Sequence, residues 1–223
     1  MSTDETKDVL RRAEETLMTA EFGLTDLSSK DKRRRMVGLR NVIVFGRSVT
    51  FVLQNLRGKE ARFDAWYEPI VEQMKSDPVF RYFLNARNKL EKQGRLNTTT
   101  AASITSFSSS DIEKFGPRPP GTVGFFIGDQ LGGSGWEVEL PSGETVKYYV
   151  ELPSEIGSVE QTFSDLDDDL YRPIQGKTVD ELCSEYIRKL SAVLDSARSE
   201  FLYEPPAQWV GKKRLPSYLR IVK

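Results

Sequence analysis

Apolar residues recur at three- and four-residue intervals from the amino terminus onward. Between residues 4 and 27, Val9, Leu10, Ala13, Leu17 and Ala20 or Glu21 form a stripe interrupted near Gly23, which predicts an amphipathic helix with one buried side. Ser28 or Ser29 is placed to cap a second helix, which runs through KDKRRRMVGLRNVIVFGRSVTFVLQNL to a stop at Gly58. Its centre, residues 42–45 and 49–53, is apolar nearly all round, as suits the middle of a bundle. In the stretch 60–76, Phe63, Trp66, Tyr67, Ile70, Val71 and Met74 share a helical face, and Pro69 predicts a kink or a late start because it lacks an amide hydrogen. Asp77 followed by Pro78 restarts the chain as a fourth helix, with Val79, Phe80, Phe83, Ala86 and Leu90 on one side and Gly94 at its end. The four helices predict an antiparallel bundle over residues 1–96.

The pattern then changes. Residues 97–110 are Thr, Ser and Ala, read as a weak helix or loop, and PRPPG at 117–121 continues neither regular structure, so 97–121 is a Ser/Thr/Pro-rich connector. TVGFFIG, GWEVELP and TVKYYVELP read as strands joined by the glycine-bearing turns DQLGGS and SGE, an antiparallel meander. An acidic loop, FSDLDDDLYRP, precedes a long helix over 178–203 whose face carries Val179, Leu182, Cys183, Tyr186, Leu190, Val193, Leu194, Ala197 and Phe201. That stripe must lie on the sheet, the bundle or both. A proline-broken basic tail follows, with Trp209 and Tyr218 expected against the body. The expected class is α+β, with an N-terminal antiparallel helical bundle and, over 122–223, a small antiparallel β-meander, a long C-terminal helix and the tail.

Composition narrows the chemistry. The 223 residues are 38% hydrophobic and 29% charged, as in an ordinary globular protein, and 32 Lys and Arg against 33 Asp and Glu leave a net charge of -1. No global field draws the chain to nucleic acid or to an anionic membrane, so any such contact needs a local patch. The start, MSTDETKDVLRRAEE, lacks the apolar stretch of a signal peptide, and the single cysteine excludes an intrachain disulfide and any CxxC site. Both fit a cytoplasmic protein with no membrane contact. There is no histidine, which removes histidine acid-base chemistry, histidine-assisted nucleophiles and histidine metal ligation. No cofactor or metal is expected.

The most informative stretch is DPVFRYFLNARNKLEKQG, residues 77–94. An aromatic run of Phe80, Tyr82 and Phe83 leads to Arg87 and Asn88, and Lys92 follows after three residues. This resembles the signature helix of the HEPN superfamily, helical-bundle proteins with Arg, a polar residue, three variable positions and then His; here Lys92 occupies the histidine position. The resemblance covers residues 1 to about 95. It implies a homodimer that brings two motifs together, RNA as the substrate of active members, and a stress or antiviral defence setting. Metal-free cleavage of a phosphodiester needs a group that gives and takes protons near neutral pH, which an ordinary lysine does not. Lys92 would need a pKa lowered by burial or by Arg87 and Lys89.

A non-catalytic reading keeps the geometry: Arg87, Asn88 and Lys92 fall within about one and a half helical turns, and two facing copies would form a cationic groove for phosphate. The structural alternative is a polar network of Arg87 and Asn88 with Asn41, Arg47 and Ser48 of the second helix. Arg33, Arg40 and Arg47 recur every seven residues and place a positive stripe along that helix. The stripe and the run KDKRRR at 30–35 read either as a phosphate contact or as a solvated face paired with acidic neighbours such as the first helix. GDQLGGSGW lacks the following helix of a phosphate loop and reads as a flexible hairpin turn, the Asp165, Asp167, Asp168 and Asp169 run as a solvated loop, and Cys183 as inert packing. The expected function is therefore recognition of RNA or of a protein partner by a non-catalytic homodimer. The alternatives are a metal-independent ribonuclease using Arg87 and Lys92, and a structural subunit of a larger assembly.

Overall fold

The computed structural model describes residues 3–29, 31–131 and 133–202. Helix α1, Thr3–Leu27, runs straight through Gly23, and α2 is Lys32–Leu53. The glycines explain how these two pack: a Cβ on Gly38 would lie 2.5 Å from the Gly23 carbonyl oxygen, and one on Gly23 would lie 2.7 Å from the Gly38 oxygen. The helices cross with their backbones almost touching, which only glycine at both positions permits. Ser28 and Ser29 do not cap α2, because their amides still bond back to the carbonyls of Thr25 and Asp26 at the end of α1. Asp31 does so instead, its carboxylate accepting from the Arg33 amide at 2.9 Å.

Helix α3, Phe63–Ser76, begins early and continues through Pro69, and α4, Pro78–Gln93, is bounded as expected. The Asp77 carboxylate accepts from the amides of Val79 and Phe80, and Gly94, at φ +66°, closes the helix by donating to the Leu90 carbonyl at 2.8 Å. Helix α5, Val179–Leu202, opens on a reciprocal cap in which Thr178 and Glu181 bond each other's amides. It packs on α1, α2 and α4 rather than on the meander, and Leu182, Cys183, Tyr186, Leu190 and Leu194 share one core with Val9, Leu39, Val42 and Phe83. Of the described helices, the span 32–56 is the one long and apolar enough to cross a membrane; here it lies against α1, α4 and α5. Tyr203 and the basic tail with Trp209 and Tyr218 lie outside the described residues, as does Lys30.

Two small sheets complete the α+β architecture. The three-stranded meander is present as β2, Thr122–Ile127, β3, Ser134–Glu139, and β4, Thr145–Val150. It has its own small core of Phe115, Trp136, Val138 and Ile156. The connector of 97–121 is not a loop throughout. Thr98–Ile104 is a strand, β1, paired antiparallel with β5, Gly157–Phe163, from Thr98 opposite Phe163 to Ile104 opposite Gly157. Most of β1 is exposed, so its sequence carries no apolar alternation to announce it.

Candidate functional site

Helix α4 divides the motif residues between two sides. Residues Asn85, Asn88, Lys89 and Lys92 recur at helical spacing and face a groove of about 390 Å³ closed by Asp165, Asp168 and Tyr171. Asp165 holds it together. One carboxylate oxygen accepts from the buried Tyr82 hydroxyl at 2.9 Å, and the other accepts from Lys89 at 2.6 Å and Asn97 at 3.4 Å. Burial, then the Asp165 charge, pushes the Tyr82 phenol well above its ordinary pKa. Asn85 donates to the Tyr171 hydroxyl at 2.7 Å. The acidic stretch is thus not a solvated loop at Asp165: the residue is drawn in by three donors. Among the described residues, no group of acidic or cysteine side chains is placed to hold a metal.

Arg87 points to the other side. Its guanidinium pairs with Glu91 at 2.7 Å, donates to the Asn88 side-chain oxygen at 3.3 Å, and lies 5.8 Å from the centre of the Phe51 ring on α2. Arg47 reaches the same ring at 4.1 Å and also donates to the Thr50 hydroxyl. Phe51 nonetheless remains 45% exposed. No hydrogen bond joins Arg87 or Asn88 to Asn41, Arg47 or Ser48 among the described residues, so the aromatic ring takes the place of the expected polar network. Asn88 and Lys92 face the groove, and Lys92 is exposed without an ion-pair partner among the described residues.

The arginine stripe of α2 serves three separate places. Arg40 donates to the Gly94 carbonyl at 3.0 Å, satisfying the end of α4. Arg47 joins Arg87 at Phe51. Arg33 lies about 21 Å along the helix from Arg47, near Tyr149 of β4, whose phenol its charge lowers while burial and the Asp129 hydrogen bond push it up to about 12. Within the basic run, Arg34 pairs with Asp26 and Arg35 with Asp180, so that part is a charge-paired face. In the glycine-bearing turn, Asp129 accepts from the amides of Leu131 and Gly133, from Lys147 and from the Tyr149 hydroxyl at 2.6 Å. Cys183 is fully buried and burial pushes its thiol up, as inert packing requires.

Sequence reading missed Phe51, Asp165, Tyr171 and Asn85. Phe51 was subsumed in an apolar run, and Asp165 and Tyr171 come from a segment some eighty residues away from α4.

Residues 29–122 match the family described as bacteriophage lambda protein ea47. Protein ea47 of Escherichia phage lambda is 34% identical over 82 residues, which cover 34% of this chain and 20% of that protein. The chain therefore corresponds to about a fifth of that relative's length. The matched segment contains α2, α3, α4 and β1, hence both Arg47 and Arg87. No solved structure matches.

Proposed function

We propose that this chain is a non-catalytic, HEPN-like recognition protein that holds single-stranded RNA on the α2 and α4 face. The observation that carries the reading is the half-exposed Phe51 ring, flanked by the Arg47 and Arg87 guanidiniums at 4.1 and 5.8 Å. An accessible aromatic surface beside fixed cations suits unpaired bases, which stack, and their phosphates, which pair with guanidinium. The net charge of -1 supplies no general attraction, so a local constellation has to do so. Lys92, Lys89 and Asn88 in the neighbouring groove add donors on the other side of α4. Cleavage is not part of the reading: the chain has no histidine to give and take protons near neutral pH.

The test is fluorescence anisotropy of the full chain with a labelled single-stranded RNA, beside Phe51→Ala and the double variant Arg47→Ala, Arg87→Ala. Binding that weakens about tenfold or more in each variant, with the RNA left intact, supports the proposal. RNA cleavage that disappears in an Arg87→Ala, Lys92→Ala variant would establish the ribonuclease alternative instead. Light scattering belongs with this test, since the resemblance implies a dimer: twice 25.3 kDa supports facing motifs, and 25.3 kDa removes them from the proposal.

A second reading has its own observation. Met18, Phe22 and Val37 of α1 and α2 are 44, 63 and 53% exposed, which suits contact with a protein partner. Loss of a captured partner on Phe22→Ser with RNA binding absent in the native chain would favour it.

A further inference from the structure

Helices α2, α3, α4 and α5 enclose a second cleft, of about 190 Å³, with Tyr186 of α5 at its base. Its walls are apolar, supplied by Val71, Phe80 and Leu84 among others. Gly46 makes room for the tyrosine: a Cβ there would lie 2.5 Å from Tyr186 Cε1, and the ring stacks on Phe83 with centroids 4.1 Å apart. The mouth is cationic, with Arg47, Lys75 and Arg81 and no carboxylate among its lining residues. Lys75 is paired with Glu72, whereas Arg47 and Arg81 make no ion pair among the described residues. Tyr186 is 2% exposed overall, and its hydroxyl makes no hydrogen bond among the described residues.

An apolar sleeve with an accessible hydroxyl and two guanidiniums that no carboxylate neutralises among the described residues is complementary to a molecule with an apolar body and one anionic head. Size restricts the class further. At interior packing density, 190 Å³ accommodates about eight to ten non-hydrogen atoms, roughly half of a nucleoside monophosphate. We propose that this cleft is a binding site for a small amphipathic carboxylate of about eight carbons, its head held by Arg47, Arg81 and the Tyr186 hydroxyl. Its chain lies among Val71, Phe80 and Leu84. The cleft shares Arg47 with the Phe51 face, but Arg81, Leu84 and Tyr186 line the cleft and form no part of the proposed RNA contact, so variants at those positions test it separately.

Isothermal titration calorimetry of the full chain with sodium octanoate tests it, with octan-1-ol and octylamine as comparison ligands. Octanoate is expected to bind at least about tenfold more tightly than either, because each lacks the negative head. Arg81→Ala is expected to weaken octanoate about tenfold, Tyr186→Phe to weaken it while keeping the ring, and Leu84→Trp to fill the cleft and abolish binding. Circular dichroism confirms that each variant is folded, and RNA binding by Arg81→Ala at native strength keeps the two proposals separable. Equal affinity for octanoate and octanol, no heat with octanoate in the native chain, or octanoate binding unaffected by both Arg81→Ala and Leu84→Trp would overturn the proposal.

Discussion

Removing Asp165 should loosen the groove through one buried donor. The Tyr82 hydroxyl, on a residue only 3% exposed, gives its proton to Asp165 at 2.9 Å, so Asp165→Ala strands a buried donor that had a charged acceptor. That loss costs about 1.5–3 kcal/mol. The pair with Lys89 adds at most about 1 kcal/mol, because the lysine side chain is 45% exposed and water screens it. The total is about 1.5–4 kcal/mol. In a Tyr82→Phe background there is no donor to strand, so the same Asp165→Ala change should cost only about 1 kcal/mol. Urea denaturation of the four proteins followed by circular dichroism measures the coupling directly, and a value near 1.5 kcal/mol or above is expected. A coupling within about 0.5 kcal/mol of zero would refute the claim that Asp165 acts through Tyr82.

Gly38→Ala should destabilise by about 1–2 kcal/mol in the same assay, since overlap with the Gly23 carbonyl at 2.5 Å outweighs the gain in helix propensity, while Gly58→Ala, with open space around it, should not. Stabilisation by Gly38→Ala would contradict the close crossing. Stability should also fall as pH rises through about 10: unfolded phenols ionise there, whereas Tyr82, and Tyr149 at about 12, keep their protons in the folded chain. The folded state then binds more protons than the unfolded one, so buried Tyr82 alone contributes a loss of about 1.4 kcal/mol per pH unit, and Tyr82→Phe should lessen the slope by about that amount. Identical urea midpoints at pH 9 and 11 would count against both networks. Cys183, fully buried, should react with a disulfide reagent only when the chain opens, immediately in denaturant and slowly without it; rapid labelling of the native protein would show that α5 is not seated as described.

The helical part was legible because its signals are local. Asp77, Pro78 and Gly94 bracket α4 through backbone bonds that residue types alone specify, and the α5 stripe from Val179 to Ala197 is continuous at helical spacing. The direction α5 would face was not legible, since an apolar stripe does not say whether a sheet or a bundle covers it. Strand β1 was hidden for another reason: Thr98–Ile104 is held by backbone pairing to β5 and buries little. The site divides similarly. Arg87, Asn88 and Lys92 stood out by their spacing, but spacing within one and a half turns did not reveal that Arg87 and Lys92 leave the helix toward different surfaces. Nor did it reveal that Asp165 completes one surface and Phe51 the other, because both contacts join segments distant in sequence.

Under the proposed function, Arg87 beside Phe51 contacts an RNA phosphate. The salt dependence of RNA affinity tests it most directly, since each guanidinium and phosphate contact on a single strand contributes about 0.7 to the slope of log K against log salt. Measured from about 50 to 200 mM salt, Arg87→Gln should bind more weakly and reduce that slope by about 0.7. An unchanged slope, or a native chain whose affinity does not depend on salt, would contradict the account.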